Sequence, residues 1–213
     1  MLYKLDDHDI WFPPPENAEP DGLLAIGGDL SPERLILAYS WGIFPWFSDD
    51  SPILWYSPHE RFVIFPDHLK ISKSMKQVLR SGMFKVTFDH SFSEVIKACA
   101  KVKRKDQDGT WITRDMEEAY IGLHHLGIAH SVEVWRQDEL VGGLYGVVIG
   151  NVFCGESMFS LVSNASKVAL IGLCRTMKFK MIDCQFHTKH LESMGAEFIT
   201  RKEYLRILQH KDN

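Results

Sequence analysis

The chain has 213 residues, enough to bury a substantial core, and its 45% hydrophobic and 24% charged residues exclude a fibre or a disordered tail. A formal net charge of -4 excludes binding to nucleic acid by bulk basicity, so any such contact must be local. Lys4, Asp6, Asp7 and Asp9 interrupt the start of the chain where an export signal needs an apolar stretch, and the apolar runs at 141–149 and 41–47 fall far short of the roughly 20 residues of a membrane-spanning helix. The expectation is a cytoplasmic protein with no membrane partner.

The first sixty residues are rich in Pro, Gly and Trp, and a boundary is placed near Arg61: residues 1–60 form a small N-terminal lobe and 61–213 a larger domain. In the lobe, Ser31 reads as an N-cap, Pro32 as the first helical residue and Gly42 as the stop, which predicts a helix over 32–40. Gly27-Gly28 lacks the Lys-Ser/Thr of a phosphate-binding loop and reads as a turn. Beyond the boundary the pattern predicts a helix over 71–81, a strand over 85–89, a helix over 92–102 and, after a loop, a helix over 114–126. Strands over 130–136, 139–149 and 151–156 follow as an antiparallel meander, with Gln137-Asp138 at the first turn. A helix over 164–178 capped by Ser163 or Asn164, a strand over 180–185, a helix through Leu191 ending at Gly195 and a strand over 197–200 complete the order. Such an order implies an α+β class with a mixed sheet.

Cys99, Cys154, Cys174 and Cys184 have no paired spacing for zinc or redox chemistry and read as reduced thiols. In Asp183-Cys184-Gln185 a strand would send Asp183 and Gln185 to one face and Cys184 to the other, which weakens a cysteine nucleophile assisted by His187. The pair fits either catalysis or the satisfaction of backbone groups at a strand end. Glu156 closes the meander, where sites gather, or is a solvated carboxylate; Gly155 beside it permits a bulge or a close approach. Trp46 and Trp111 occupy loops, as base-stacking platforms or as core residues. Lys70, Lys73, Lys76 and Arg80 recur at helical spacing along one face, suited to a phosphate backbone or simply to solvent. A second basic cluster spans Lys101 to Lys105.

Several segments together resemble the bacterial leucyl/phenylalanyl-tRNA-protein transferases. They are Gly22 to Pro32, Gly42-Ile43-Phe44-Pro45-Trp46-Phe47, Trp111-Ile112-Thr113-Arg114, Tyr145-Gly146-Val147, Gly155 to Ser160, Asn164-Ala165-Ser166-Lys167 and Ile182-Asp183-Cys184-Gln185, in one order nearly end to end. The resemblance implies an acetyltransferase-like (GNAT) domain with a mixed, mainly antiparallel sheet after the small lobe. It implies transfer of Leu or Phe, and Met less well, from aminoacyl-tRNA to the N-terminal α-amine of proteins starting with Arg or Lys, which marks them for N-end-rule degradation. The ester is already activated, so no cofactor and no metal are expected. Asp183 and Gln185 are then the catalytic pair and Glu156 a further polar group of the pocket. Leu144, Phe153, Met158, Leu170 and Ile182 hold the aminoacyl side chain; Trp46 and Trp111 flank the terminal adenosine; Lys70, Lys73, Lys76 and Arg80 hold the tRNA backbone. Leu173 and Met177 stand where larger aromatics are expected.

A small-molecule N-acetyltransferase is the alternative enzyme, but Ser160 to Ser166 contains no glycine to cradle a coenzyme A pyrophosphate. A non-catalytic binder of charged tRNA would have no use for Asp183 and Gln185.

Overall fold

The structure, a computed structural model, describes residues 2–102, 112–176 and 178–209. Among them the strands form two sheets. The smaller has the order β1-β2-β4-β3, from β1 (Tyr3–Leu5), β2 (Leu23–Gly27), β3 (Phe44–Pro45) and β4 (Leu54–Tyr56). Sequence patterning did not reveal these strands, because their burial comes from packing on the rest of the molecule rather than from a period-two alternation. Between β2 and β3 runs α1 (Pro32–Ser40), where Ser31 Oγ accepts from Arg34 N at 3.4 Å as its N-cap predicts. Gly27 and Gly28 have φ of 86° and 71°, the turn conformation that glycine adopts without strain. The turn brings Asp29 to the fully buried Arg34, whose Nε donates to Asp29 Oδ1 at 3.2 Å and whose Nη2 donates to the Asp6 carbonyl at 2.7 Å.

The larger sheet begins with β5 (Glu60–Ile64), also missed in the sequence, and includes β6 (Lys85–Phe88), β7 (Ala129–Arg136), β8 (Glu139–Ile149), β9 (Val152–Ser160), β10 (Met181–Asp183) and β11 (Glu197–Thr200). Its order is β11-β5-β10-β9-β8-β7-β6, parallel at β10/β9 and antiparallel elsewhere. The sheet is mixed and mainly antiparallel, as expected, within an α+β chain. The β7–β8 hairpin turns at Gln137 and Asp138, both at positive φ (51° and 65°), as a two-residue loop between right-twisted strands requires.

Helices cover both faces. One face carries α3 (Phe92–Lys101), α4 (Arg114–His125) and α1, and its core is continuous with that of the small lobe; a helix absent from the sequence reading, α7 (Arg201–Gln209), adds Tyr204 and Leu208 to it. The other face carries α2 (Lys73–Arg80), α5 (Ala165–Thr176) and α6 (Lys189–Ser193). Gly142 lets α5 approach β8: a Cβ there would meet the Ala165 Cβ at 2.5 Å. Glu133 on β7 is fully buried, and its carboxylate accepts from Thr87 Oγ1 (2.6 Å), Ser131 Oγ (2.5 Å) and the His90 and Ser91 amides that precede α3 (both 3.4 Å). A buried carboxylate so surrounded fastens the start of α3 to the sheet.

The strand expected over 151–156 runs on to Ser160, and the one over 180–185 ends at Asp183. Both differences shape the site. No helix among the described residues is long and apolar enough to cross a membrane.

Candidate active site

Parallel β9 and β10 leave between them, beneath α5, a cavity of about 380 Å³. Its apolar wall is Leu144, Phe153, Met158, Leu170, Leu173 and Ile182; its polar wall includes Glu156, Asp183 and Gln185; Trp46 and Phe186 stand among its remaining residues. The side chains named from the sequence for the aminoacyl group and for catalysis thus line one cavity, with Trp46 beside them. Trp111 and the basic run after Val102 lie outside the described residues, as does Met177.

Phe153 and Met158 are five residues apart, an odd spacing that would put them on opposite faces of a regular strand. A β-bulge makes the difference. Tyr145 pairs with Ser157 but Gly146 pairs with Gly155, so Glu156 is an extra residue without a ladder partner. Phe153 and Met158 both reach the α5 side, while Cys154 and Phe159 both pack on the other core. The bulge also sets Glu156 apart from the ladder as the polar member of this wall.

Around Glu156 the polar groups form one connected chain. Gln185 Nε2 donates to Glu156 Oε1 at 3.0 Å, and the Tyr120 hydroxyl donates to Oε2 at 3.1 Å. The Tyr39 hydroxyl, from α1 of the small lobe, bonds to that of Tyr120. At the other end, the Gln185 amide donates to Asp183 Oδ1 at 2.9 Å, and Arg61 on β5 pairs with both Asp183 oxygens through Nε and Nη2. Arg61 is itself buried: Nη1 donates to the Gly42 carbonyl at 2.9 Å, and its guanidinium lies 4.8 Å from the Phe44 ring centre and 4.4 Å from that of Tyr204. Asp183 is fully buried, and Arg61 is its ion-pair partner there.

Burial pushes the Glu156 carboxyl up to about 7, with the Asp183 charge adding to the rise and the tyrosine hydroxyls and Arg61 opposing it. The same burial, with Glu156 next, raises the Tyr39 and Tyr120 phenols far above their ordinary range, so both stay protonated donors. Cys184 lines the cavity, yet burial and then the Asp183 charge push its thiol well up, which leaves it a poor nucleophile.

Gln185 does not follow the strand alternation expected of it. With β10 ending at Asp183, Gln185 does not share a strand face with it; Gln185 lies in the left-handed region (φ 59°), and the turn carries its side chain back to Glu156. Lys70 is also corrected: it precedes α2, where its amide donates to the Met194 carbonyl at 2.8 Å, so the helical face comprises Lys73, Lys76 and Arg80, all exposed. Trp46 is half-buried, its ring centre 5.1 Å from Phe186 and 5.7 Å from Tyr56.

Sequence reasoning missed Arg61, Tyr39 and Tyr120. An Arg opening a run of Phe, Val and Ile was a usable sign of a buried ion pair; nothing local marks the tyrosines, which a helical pattern assigns to core.

Residues 63–209 match the family described as leucyl/phenylalanyl-tRNA protein transferase, and residues 28–59 match the N-terminal domain of the same family. A leucyl/phenylalanyl-tRNA–protein transferase of Flavobacterium johnsoniae is 55% identical over 206 residues, which cover 95% of this chain and 97% of that one. Its counterpart in Syntrophus aciditrophicus is 56% identical over 203 residues, 94% of this chain and 85% of that one. Solved structures are more remote: a conserved protein of Bacteroides thetaiotaomicron is 10% identical with a TM-score of 0.46, covering 71% of this chain and 55% of that one. The chain belongs to the leucyl/phenylalanyl-tRNA–protein transferase family.

Proposed function

We propose that this enzyme transfers leucyl or phenylalanyl, and methionyl less well, from tRNA to the N-terminal α-amine of proteins beginning with Arg or Lys, and so marks them for N-end-rule degradation. The observation that carries the reading is the cavity itself: an apolar slot that opens onto the Glu156–Gln185–Asp183–Arg61 chain. A slot lined by Leu144, Phe153, Met158, Leu170 and Ile182 suits a long apolar side chain, and a misfit of one methylene there discriminates by only about 1 to 3 kcal/mol, which leaves room for Met.

Aminoacyl transfer from an ester asks the protein for position and for proton management. The amine nitrogen attacks the ester carbonyl, a C–N bond forms, the C–O bond to the terminal ribose breaks, and the proton lost by the amine passes to the leaving ribose oxygen. Gln185 spends its NH2 on Glu156, so its carboxamide oxygen is the end left to accept from the incoming amine. Asp183 holds the Gln185 backbone, and Arg61 holds Asp183, so the oxygen is fixed before substrate arrives. Glu156, ionised above about pH 7, holds an ammonium of the donor or of the basic acceptor.

Charge distribution supports placing the tRNA on the larger domain: residues 1–60 carry eleven Asp and Glu against two Lys and Arg, whereas residues 61–213 carry seventeen against twenty-two. Lys73, Lys76 and Arg80 on α2, with Lys70 leading into it, are the surface for the acceptor stem, and Trp46 with Trp111 the platform for the terminal adenosine. Incubation with labelled Phe-tRNA and an Arg-starting peptide tests donor, acceptor and chemistry at once. Label appearing on the peptide is the expected result; label retained on tRNA in the presence of a well-folded protein would overturn the reading.

A further inference from the structure

His190, on α6, lines the cavity, yet its Nε2 is buried and makes no hydrogen bond among the described residues. A buried imidazole nitrogen without a partner is costly unless a ligand completes it. Thr188, Leu191 and Leu170 line the cavity with it. Lys167, in the first turn of α5, lies near enough for its charge to act on the ring. Lys167 and Leu170 are three residues apart on α5 and so share a face; Lys167 stands roughly 4.5 Å further toward the helix start than Leu170, which belongs to the apolar slot. Along this wall the lining therefore passes from an apolar slot to an imidazole, and the Lys167 charge acts on that imidazole from outside the lining.

We propose that His190 and Lys167 form a subsite for the 5′-phosphate of the nucleotide that carries the aminoacyl ester, with His190 Nε2–H donating to a phosphate oxygen and Lys167 supplying the charge. The inference rests on the reading of the cavity as the aminoacyl-tRNA site. Of the groups beyond the ester, adenine and the ribose hydroxyls are neutral and only the phosphate is anionic, and a donor beside a cation is the complement of an anion. The polar groups around Glu156, with Gln185 and Asp183, serve the ester end and leave this wall without another role.

The test compares two stable analogues, a phenylalanyl-amido-adenosine with and without a 5′-phosphate, by calorimetry on the full chain. The wild type should bind the phosphorylated analogue about 10-fold more tightly, the size of a charge-assisted hydrogen bond. His190→Gln and Lys167→Met should each reduce that ratio to about 3-fold or less while binding of the unphosphorylated analogue stays within about 2-fold, as expected when a single phosphate interaction is removed. Equal affinities in the wild type overturn the subsite, as does a preference that survives in both variants. Circular dichroism verifies that each variant is folded, and if His190→Gln does not fold, Lys167→Met alone decides. If neither analogue binds the wild type, it is the proposed function that fails.

Discussion

The two walls of the cavity are built on different principles. The apolar wall consists of separate side chains from β8, β9, α5 and β10, each in contact with its neighbours but bound to none of them by a directed interaction. The polar wall is a single hydrogen-bonded chain that runs from Gly42 and Arg61 through Asp183, Gln185 and Glu156 to Tyr120 and Tyr39. Changes in the first wall should be graded and local. In the second, loss of one member strands the next in a buried place, so the effects should be large and shared.

The strongest break of this contrast is Arg61→Ala. It leaves the fully buried Asp183 without its cation and should cost about 3 to 5 kcal/mol in urea unfolding. Replacing both partners, as Arg61→Met with Asp183→Leu, should recover most of that stability but no transfer activity. A single Arg61→Ala that unfolds like the wild type would show that the chain is not a unit.

Glu156 offers a titration of the same wall. Its folded carboxyl sits at about 7 against an ordinary 4.5, so the native state binds the extra proton between those values. Stability should therefore be highest at the acid end of this window and fall as pH rises through it, by an amount on the order of 3 kcal/mol, with no further change from this group above about 7. In Glu156→Gln that slope should disappear from the pH series of unfolding.

Gln185→Ala should leave the fold and donor binding nearly intact while slowing single-turnover transfer by about 100-fold, the scale of one positioned proton acceptor. An unchanged rate would remove Gln185 from the chemistry. On the apolar wall, Leu173→Phe should narrow the slot and shift preference from Phe toward Leu and Met by about 10-fold in kcat/KM, because one misfit in a greasy pocket is worth only about 1 to 3 kcal/mol. The smallest effect is outside the cavity: each of Lys73, Lys76 and Arg80 changed to Ala should lower the salt slope of tRNA binding by roughly 0.7 to 0.9 for each phosphate it no longer neutralises.

The same contrast explains what could be read without coordinates. Helices α1, α3, α4 and α5 and the β7–β8 hairpin announce themselves through caps, periodicity and turn residues, all of which are local. Resemblance supplied the apolar wall residue by residue, and the cavity unites them. The polar wall was only half legible. Asp183, Gln185 and Glu156 stood in recognisable segments, but Arg61 lies 122 residues from its partner and Tyr120 lies 36 residues from Glu156, distances over which no pattern in the chain signals contact. The bulge at Glu156 was hidden for another reason: a register shift belongs to a pair of strands, and one strand's alternation cannot express it. Helix α7 went unread beyond the last strand, although its Tyr204 supports Arg61.

Arg61 draws a carbonyl from Gly42 and an aromatic face from Phe44, and Tyr39 reaches Tyr120 across the same junction. Any dissection of this protein at that junction therefore cuts through the polar wall of the cavity. A fragment starting at Arg61 would keep every cavity-lining side chain of the large sheet, yet release the guanidinium from half its cage and remove one of the phenols beside Glu156. Swapping N-terminal portions between relatives should likewise perturb turnover as well as solubility, because the small lobe supplies part of the scaffold that keeps the Asp183 and Glu156 carboxyls in place.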